Sequence, residues 1–289
     1  LRSLGKASDP PSPLPSDLTM SFSRHGLSDD FLRSLYRDLL LPRLIEQKML
    51  ILLRQGKISK WFSGIGQEAI SVGATEALFD AVTALVHEGD EVLVIEPAYD
   101  AYAPVVRLNG GIPVFLQLKF PDYAVDWDEF ENAVGSKTKL IILNYPHNPT
   151  GAVLTQADIT HLCRIVEDTR AFIVSDEAYE HIIFDGLQHE SMARHPQLAR
   201  RSFVVCSFGK TYHTTGWKIG YCLAPEALSS ELQKIHQYLT FACNTPVQMA
   251  YAEFMQNKDL YLGLPEFYQQ KRDLFLNLIA GSRFQPLPC

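Results

Sequence analysis

Lys210 stands in a setting unusual for a lysine. It follows the apolar run Phe203–Cys206 and a flexible Ser207-Phe-Gly209, and aromatic and small residues follow it through Gly216 and Trp217. Such surroundings desolvate an amine, lower its pKa and suit it to act as a Schiff-base nucleophile. A lone lysine is far more often a solvated surface charge, so the neighbours must decide. Asp176 ends a second apolar run, Ala171–Ser175. A carboxylate there is costly unless it meets a cation or several donors. It is either the cap of a following helix or an anion held against a protonated ring nitrogen, with Tyr179 one turn later on the same face. After Lys139–Leu143 comes Asn144-Tyr-Pro-His-Asn148-Pro-Thr-Gly151, where two X-Pro bonds and a glycine present Asn148 on a rigid turn. By itself that segment is only a tight turn.

Phosphate chemistry has candidates as well. Ser207 and Lys218 flank Lys210 with a hydroxyl and a cation. Gly73-Ala74-Thr75 opens a helical run and offers backbone N–H groups and the helix dipole, although alone it is an ordinary small-residue helix start. Tyr99 lies beyond another apolar run and suits stacking on a flat ring, though a single tyrosine is usually core. Each signal is weak. Their order along the chain is specific: phosphate loop, stacking aromatic, Asn, Asp/Tyr, Lys, phosphate cation.

Positioning these residues requires a particular scaffold. Strand-like runs fall at Glu91–Ile95, Ile112–Gln117, Lys139–Asn144, Ala171–Ser175, Ser202–Cys206 and Ile219–Leu223. Helical runs fall at Glu76–His87, Asp126–Val134, Gln156–Asp168 (Thr155 as N-cap) and Pro225–Leu239. The alternation predicts an α/β fold, with a mainly parallel sheet covered by helices on both faces. In open sheets of this class ligands collect beyond the carboxyl ends of the strands, where the candidate residues fall. Upstream, residues 1–27 are rich in Pro and Ser and are expected to be a flexible lead-in. A helix is expected from Ser28, divided near Pro42, with a second apolar stretch over Leu44–Leu53.

Composition narrows the function class. The 289 residues carry 26 Lys+Arg against 33 Asp+Glu, a net charge of −7, and are 46% hydrophobic. That excludes a wholly disordered chain and argues against phosphate-backbone binding as the main task. Lys57, Lys60 and Trp61 are too few for a nucleic-acid patch. No apolar run approaches the roughly 18–20 residues of a membrane span. Five cysteines without a CxxC pair favour a reducing cytoplasm over a disulfide framework or zinc cluster. The nine histidines lack metal-ligand spacing, so no metal is expected.

From about Gly73 to Cys289 the chain resembles the class I pyridoxal-phosphate aminotransferases of fold type I. The nearest branch comprises methionine aminotransferases and kynurenine/glutamine transaminases. Asn144–Gly151, Ser175–Glu180, Ser207–Gly220 and His236-Gln-Tyr-Leu-Thr-Phe241 carry the resemblance. It implies pyridoxal 5'-phosphate as cofactor and Lys210 as its covalent anchor and proton-moving base. It implies Asp176 as partner of the pyridine nitrogen, which preserves the electron sink, and Asn148 and Tyr179 at the ring oxygen. Ala74, Thr75, Ser207 and Lys218 would hold the phosphate, with Tyr99 stacked on the ring. Lys218 stands where many members carry Arg, which keeps the charge but loses the bidentate fork. Amino-acid and 2-oxo-acid substrates and a homodimer are implied too.

Two departures accompany it. Residues 28–75 resemble the alpha region of the 2-oxoisovalerate dehydrogenase decarboxylase component, through Leu35–Arg43, Gln55–Ser63 and Gly66–Gly73. The thiamine signature is absent, and a fusion joint is expected at Gly73-Ala-Thr75. The chain starts at Leu1 and stops at Cys289, so it is expected to be an excerpt lacking the small domain and its carboxylate-clamping arginine. The expected organisation is therefore lead-in 1–27, helical segment 28–72 and truncated cofactor-binding domain 73–289. An aminotransferase leads, with two alternatives: a non-catalytic cofactor-binding core, or a decarboxylase-like fragment serving as an interaction helix pair.

Overall fold

A computed structural model describes residues 28–30, 33 and 73–289. Asp29, Asp30 and Arg33 are helical, which agrees with a helix starting at Ser28. The expected lead-in, the division at Pro42 and most of the 28–72 segment lie outside the described residues. From Gly73 onward, six strands form one sheet in the order β2-β1-β3-β4-β5-β6. They are β1 (Glu91–Glu96), β2 (Ile112–Gln117), β3 (Thr138–Asn144), β4 (Phe172–Asp176), β5 (Ser202–Ser207) and β6 (Gly220–Leu223). All adjacent pairs are parallel except β5 with β6, which are antiparallel. The six expected strands are all present, with ends displaced by a residue at most.

Alternate residues of the central strands feed two cores, as a period of two requires. Leu140, Ile142, Val174, Phe203 and Val205 pack under α1 (Ala74–Leu85) and α2 (Tyr102–Leu108). Leu93, Ile141, Leu143, Ile173 and Val204 pack on the other face, against Phe130 of α3 (Trp127–Ala133) and Ile159, Leu162 and Val166 of α4 (Gln156–Glu167). A strand buried on both faces reads as continuous apolar sequence, which is why β3 and β5 were visible. Local chemistry fixes the helix starts. The Asp126 side chain accepts the Glu129 N–H, and Thr155 and Asp158 form a reciprocal capping box.

Beyond α5 (Pro196–Ala199) and α6 (Phe208–Thr211), the chain continues through α7 (Glu226–Leu239), α8 (Thr245–Phe254), α9 (Asp259–Leu262) and α10 (Leu264–Ile279). Besides the single-turn α5, α6 and α9, three longer helices, α2, α8 and α10, escape the periodicity reading. Each carries a proline near its start: Pro104, Pro246 and Pro265. A proline reads as a break, yet the first-turn N–H groups of a helix have no internal partner, so it costs little there. Among the described residues, no helix is long and apolar enough to cross a membrane.

Candidate active site

The carboxyl ends of β3, β4 and β5 open onto a cavity of about 650 Å³. All nine residues singled out in the sequence line it: Ala74, Thr75, Tyr99, Asn148, Asp176, Tyr179, Ser207, Lys210 and Lys218.

Asp176 is the last residue of β4, and its carboxylate is buried. No helix follows it, so the capping alternative fails. Residues beyond Asp176 form turns, in which the Glu180 N–H donates to the Glu177 carbonyl. One Asp176 oxygen accepts the Ala178 N–H at 3.1 Å and the other accepts the Tyr102 hydroxyl at 2.7 Å. Burial pushes the Asp176 carboxyl up, while Tyr102, the Ala178 N–H and the Lys210 charge hold it down. Burial and the facing carboxylate push the Tyr102 hydroxyl well above its ordinary value, so it keeps its proton and donates.

Asn144, at the end of β3, locks this geometry. Its side-chain amide donates to the Asp176 carbonyl at 3.0 Å, and its side-chain oxygen accepts the Asn148 N–H at 3.0 Å. The Asn148 turn is thereby tied to the Asp176 strand. Burial keeps the neighbouring His147 neutral, with its pKa lowered to about 4.

Lys210 sits in the short helix α6 and is half-buried rather than solvated. Its Nζ lies 5.4 Å from the centroid of the Tyr179 ring. Gly209 is required beside it, because an added Cβ would come within 2.9 Å of the Thr215 Cα. Lys218 holds a left-handed conformation, φ 55°, which a β-carbon disfavours. Strain of this kind is concentrated at functional sites. Beside Lys218, whose carbonyl oxygen would lie 3.3 Å from a Cβ at Gly73, α1 starts after Gly73 and has no side-chain cap. Among the described residues, the Ala74 and Thr75 N–H groups have no acceptor, since the first intrahelical bonds to Gly73 start at Glu76 and Ala77. The Thr75 hydroxyl lies 3.4 Å from that of Tyr99.

These features fit pyridoxal phosphate. Among the described residues, a buried carboxylate without an ion-pair partner suits a protonated ring nitrogen, unpaired N–H groups at a helix start suit a phosphate, and a half-buried lysine lines the same cavity. Sequence reading missed Tyr102, which lies in the proline-containing α2, and did not separate out Asn144. It also missed a buried cluster behind α1, where His236 Nδ1 lies 3.5 Å from Asp80 and 3.4 Å from Glu76. The i,i+4 spacing of Glu76 and Asp80 was the only sequence signal for it.

A mostly parallel sheet with this constellation at its carboxyl edge has the architecture of the fold type I pyridoxal-phosphate enzymes. The family described as Aminotransferase class I and II matches residues 57–288, and the chain belongs to it. Its members use pyridoxal 5'-phosphate. The chain is 50% identical over 221 residues to the methionine aminotransferase of Escherichia coli, covering 76% of this chain and 57% of that protein. A solved Escherichia coli structure with a methionine aminotransferase function aligns with a TM-score of 0.74 at 50% identity, over 76% of this chain and 58% of that one. Human kynurenine–oxoglutarate transaminase 1 is 30% identical over 94% of this chain and 69% of its own length. The chain thus spans less than three fifths of the bacterial relative.

One expectation changes. The family match begins at residue 57 rather than 73, and the human alignment reaches further toward the amino end. The matched region thus includes residues 57–72, upstream of the expected joint. The dehydrogenase resemblance, and with it a fusion joint at Gly73, finds no support in these comparisons.

Proposed function

We propose that the chain carries the cofactor half of a pyridoxal-phosphate aminotransferase, moving an amino group between an L-amino acid and a 2-oxo acid. The observation that carries this reading is the convergence of all nine residues on one cavity, with Lys210 close enough for its charge to hold the Asp176 carboxyl down. Bound pyridoxal phosphate would supply a carbonyl for amine capture and an electron-withdrawing ring.

The residues divide the work. Asp176, fixed by Tyr102 and Asn144, would hold a proton on the ring nitrogen. Asn148 and Tyr179 would donate to the ring oxygen, and Tyr99 would cover the ring. The Ala74 and Thr75 N–H groups, Ser207 and the Lys218 ammonium would hold the phosphate. Lys210 would anchor the cofactor and move a proton at the substrate Cα. Methionine, an aromatic amino acid or glutamine is the proposed donor, on the similarity to methionine aminotransferase and kynurenine–oxoglutarate transaminases.

We also propose that residues 73–289 form the cofactor-binding domain, after a lead-in (1–27) and a helical segment (28–72). The proposed assembly is a homodimer. Tyr238 and Phe241 are exposed and flank the cavity-lining Leu239 and Thr240, an apolar rim that a second copy would cover. Five free thiols agree with a reducing cytoplasm.

The test is a half-reaction. Cofactor-loaded protein is mixed with methionine alone, and the 2-oxo acid released is measured by mass spectrometry against bound cofactor. About one equivalent per site supports transamination. Bound cofactor with no oxo acid from methionine, phenylalanine, kynurenine or glutamine would reduce the chain to a cofactor-binding core.

A further inference from the structure

The opposite edge of the sheet carries a second cavity, of about 610 Å³. It lies at the amino ends of β3 and β4 and just before β1 and β5, and because these strands are parallel it is at the far end from the active site. Five cations line it: Lys137, Lys139, Arg170, Arg200 and Arg201. On a chain of net charge −7 this is a local reversal of sign.

No carboxylate neutralises it. Among the described residues none of the five is in an ion pair. Asp90, the single acidic residue in the lining, is occupied elsewhere and accepts the His87 N–H at 2.9 Å. The cations are also partly fixed in place. Arg201 Nη1 donates to the carbonyls of Val166, Thr169 and Ala171 at 2.8, 3.2 and 3.1 Å. Its Nε is buried without a partner. The Lys139 ammonium lies 5.7 Å from the Phe172 ring centroid. Burial and the adjacent Arg200 push the Arg201 guanidinium pKa down. A bound anion would relieve that repulsion.

We propose that this basic cavity binds a small multivalent anion of the oligophosphate class, at a site separate from the cofactor. Two arginines and two lysines around Arg201 supply the forked and point-charge donors that phosphate oxygens take. The volume falls within the range of small-molecule sites and accommodates either bare oligophosphate or a nucleotide carrying one. The site does not depend on the aminotransferase reading.

Inorganic tripolyphosphate and, separately, a nucleoside triphosphate are titrated calorimetrically into the full chain saturated with pyridoxal phosphate. Titrations are repeated at low and high ionic strength. The expected result is one saturable site per chain that survives saturating cofactor and weakens as salt rises. The Arg170→Glu, Arg200→Glu double variant changes only exposed side chains and should lose at least tenfold in affinity. Equal affinity for the two probes identifies the oligophosphate itself as ligand, and tighter nucleotide binding identifies a nucleotide. No saturable binding at millimolar probe, displacement by cofactor, or unchanged affinity in the double variant would overturn the proposal.

Discussion

Replacing Tyr102 by Phe isolates the contact that tunes Asp176. The phenol and phenyl rings fill the same space, so the change deletes one buried O–H while leaving the packing of α2 on the sheet intact. That O–H is donated at 2.7 Å to a carboxylate with one other side-chain-directed donor, the Ala178 N–H. A hydrogen bond to a charged group contributes about 1.5–3 kcal/mol, which corresponds to roughly 10- to 150-fold in an equilibrium constant. Burial already raises the Asp176 carboxyl and Tyr102 lowers it, so the variant's carboxyl rises further. The protonated carboxyl cannot support a protonated ring nitrogen. Cofactor affinity should therefore fall about 10- to 100-fold, and most steeply on the acid side of the profile. The assay is cofactor titration followed by visible absorbance across a pH series, with far-UV circular dichroism confirming the fold. A dissociation constant within twofold of the parent at every pH would refute the argument.

Four further outcomes follow from the same geometry. Lys218→Gly relieves the left-handed strain and removes the cation, so thermal stability should change little while cofactor affinity drops by about tenfold; an equal loss of both would assign Lys218 a structural role. Gly209→Ala forces a Cβ to within 2.9 Å of Thr215, which should cost about 1–3 kcal/mol in urea denaturation and weaken cofactor binding. Asn144→Ala frees the Asn148 turn from β4, and tighter or unchanged cofactor binding would show that Asn148 needs no such tether. The fourth concerns pH: His236 is raised from 6.5 to about 10, chiefly by Asp80 and then Cys243. A raised folded-state pKa gives stability that is fully present below pH 6.5 and disappears as pH climbs through 10. The rise sets a ceiling of about 5 kcal/mol, from which the burial of Asp80, itself pushed up by desolvation, subtracts. Denaturation midpoints should therefore fall between pH 6.5 and 10 in the parent and stay flat in His236→Asn; parallel curves would remove His236 from the account.

Lys210 and Asp176 were legible because each lies at or just beyond the end of a strand apolar on both faces, and a charged residue in that position needs an explanation. Asn148 was legible through its prolines, and Ala74 and Thr75 through small residues at a helix start. The supporting contacts were not. Tyr102 meets Asp176 across 74 residues of chain, and Pro104 disguised its helix. Asp80 and His236 read as an ordinary helical carboxylate and one histidine among nine until α1 and α7 pack together. The basic cavity was invisible because Lys137, Arg170 and Arg200 come from three separate loops at strand starts, away from the strand ends where ligands of such sheets collect. The antiparallel direction of β6 was also hidden, since its sequence looks like that of any other strand.

The proposed role of Lys210 is that of covalent anchor for pyridoxal phosphate. It is tested most directly by reducing the cofactor-loaded chain with borohydride and mapping the modified peptide by mass spectrometry. One cofactor per chain, attached at Lys210, is expected, and none in Lys210→Ala. Cofactor fixed at another lysine, or at none, would contradict it.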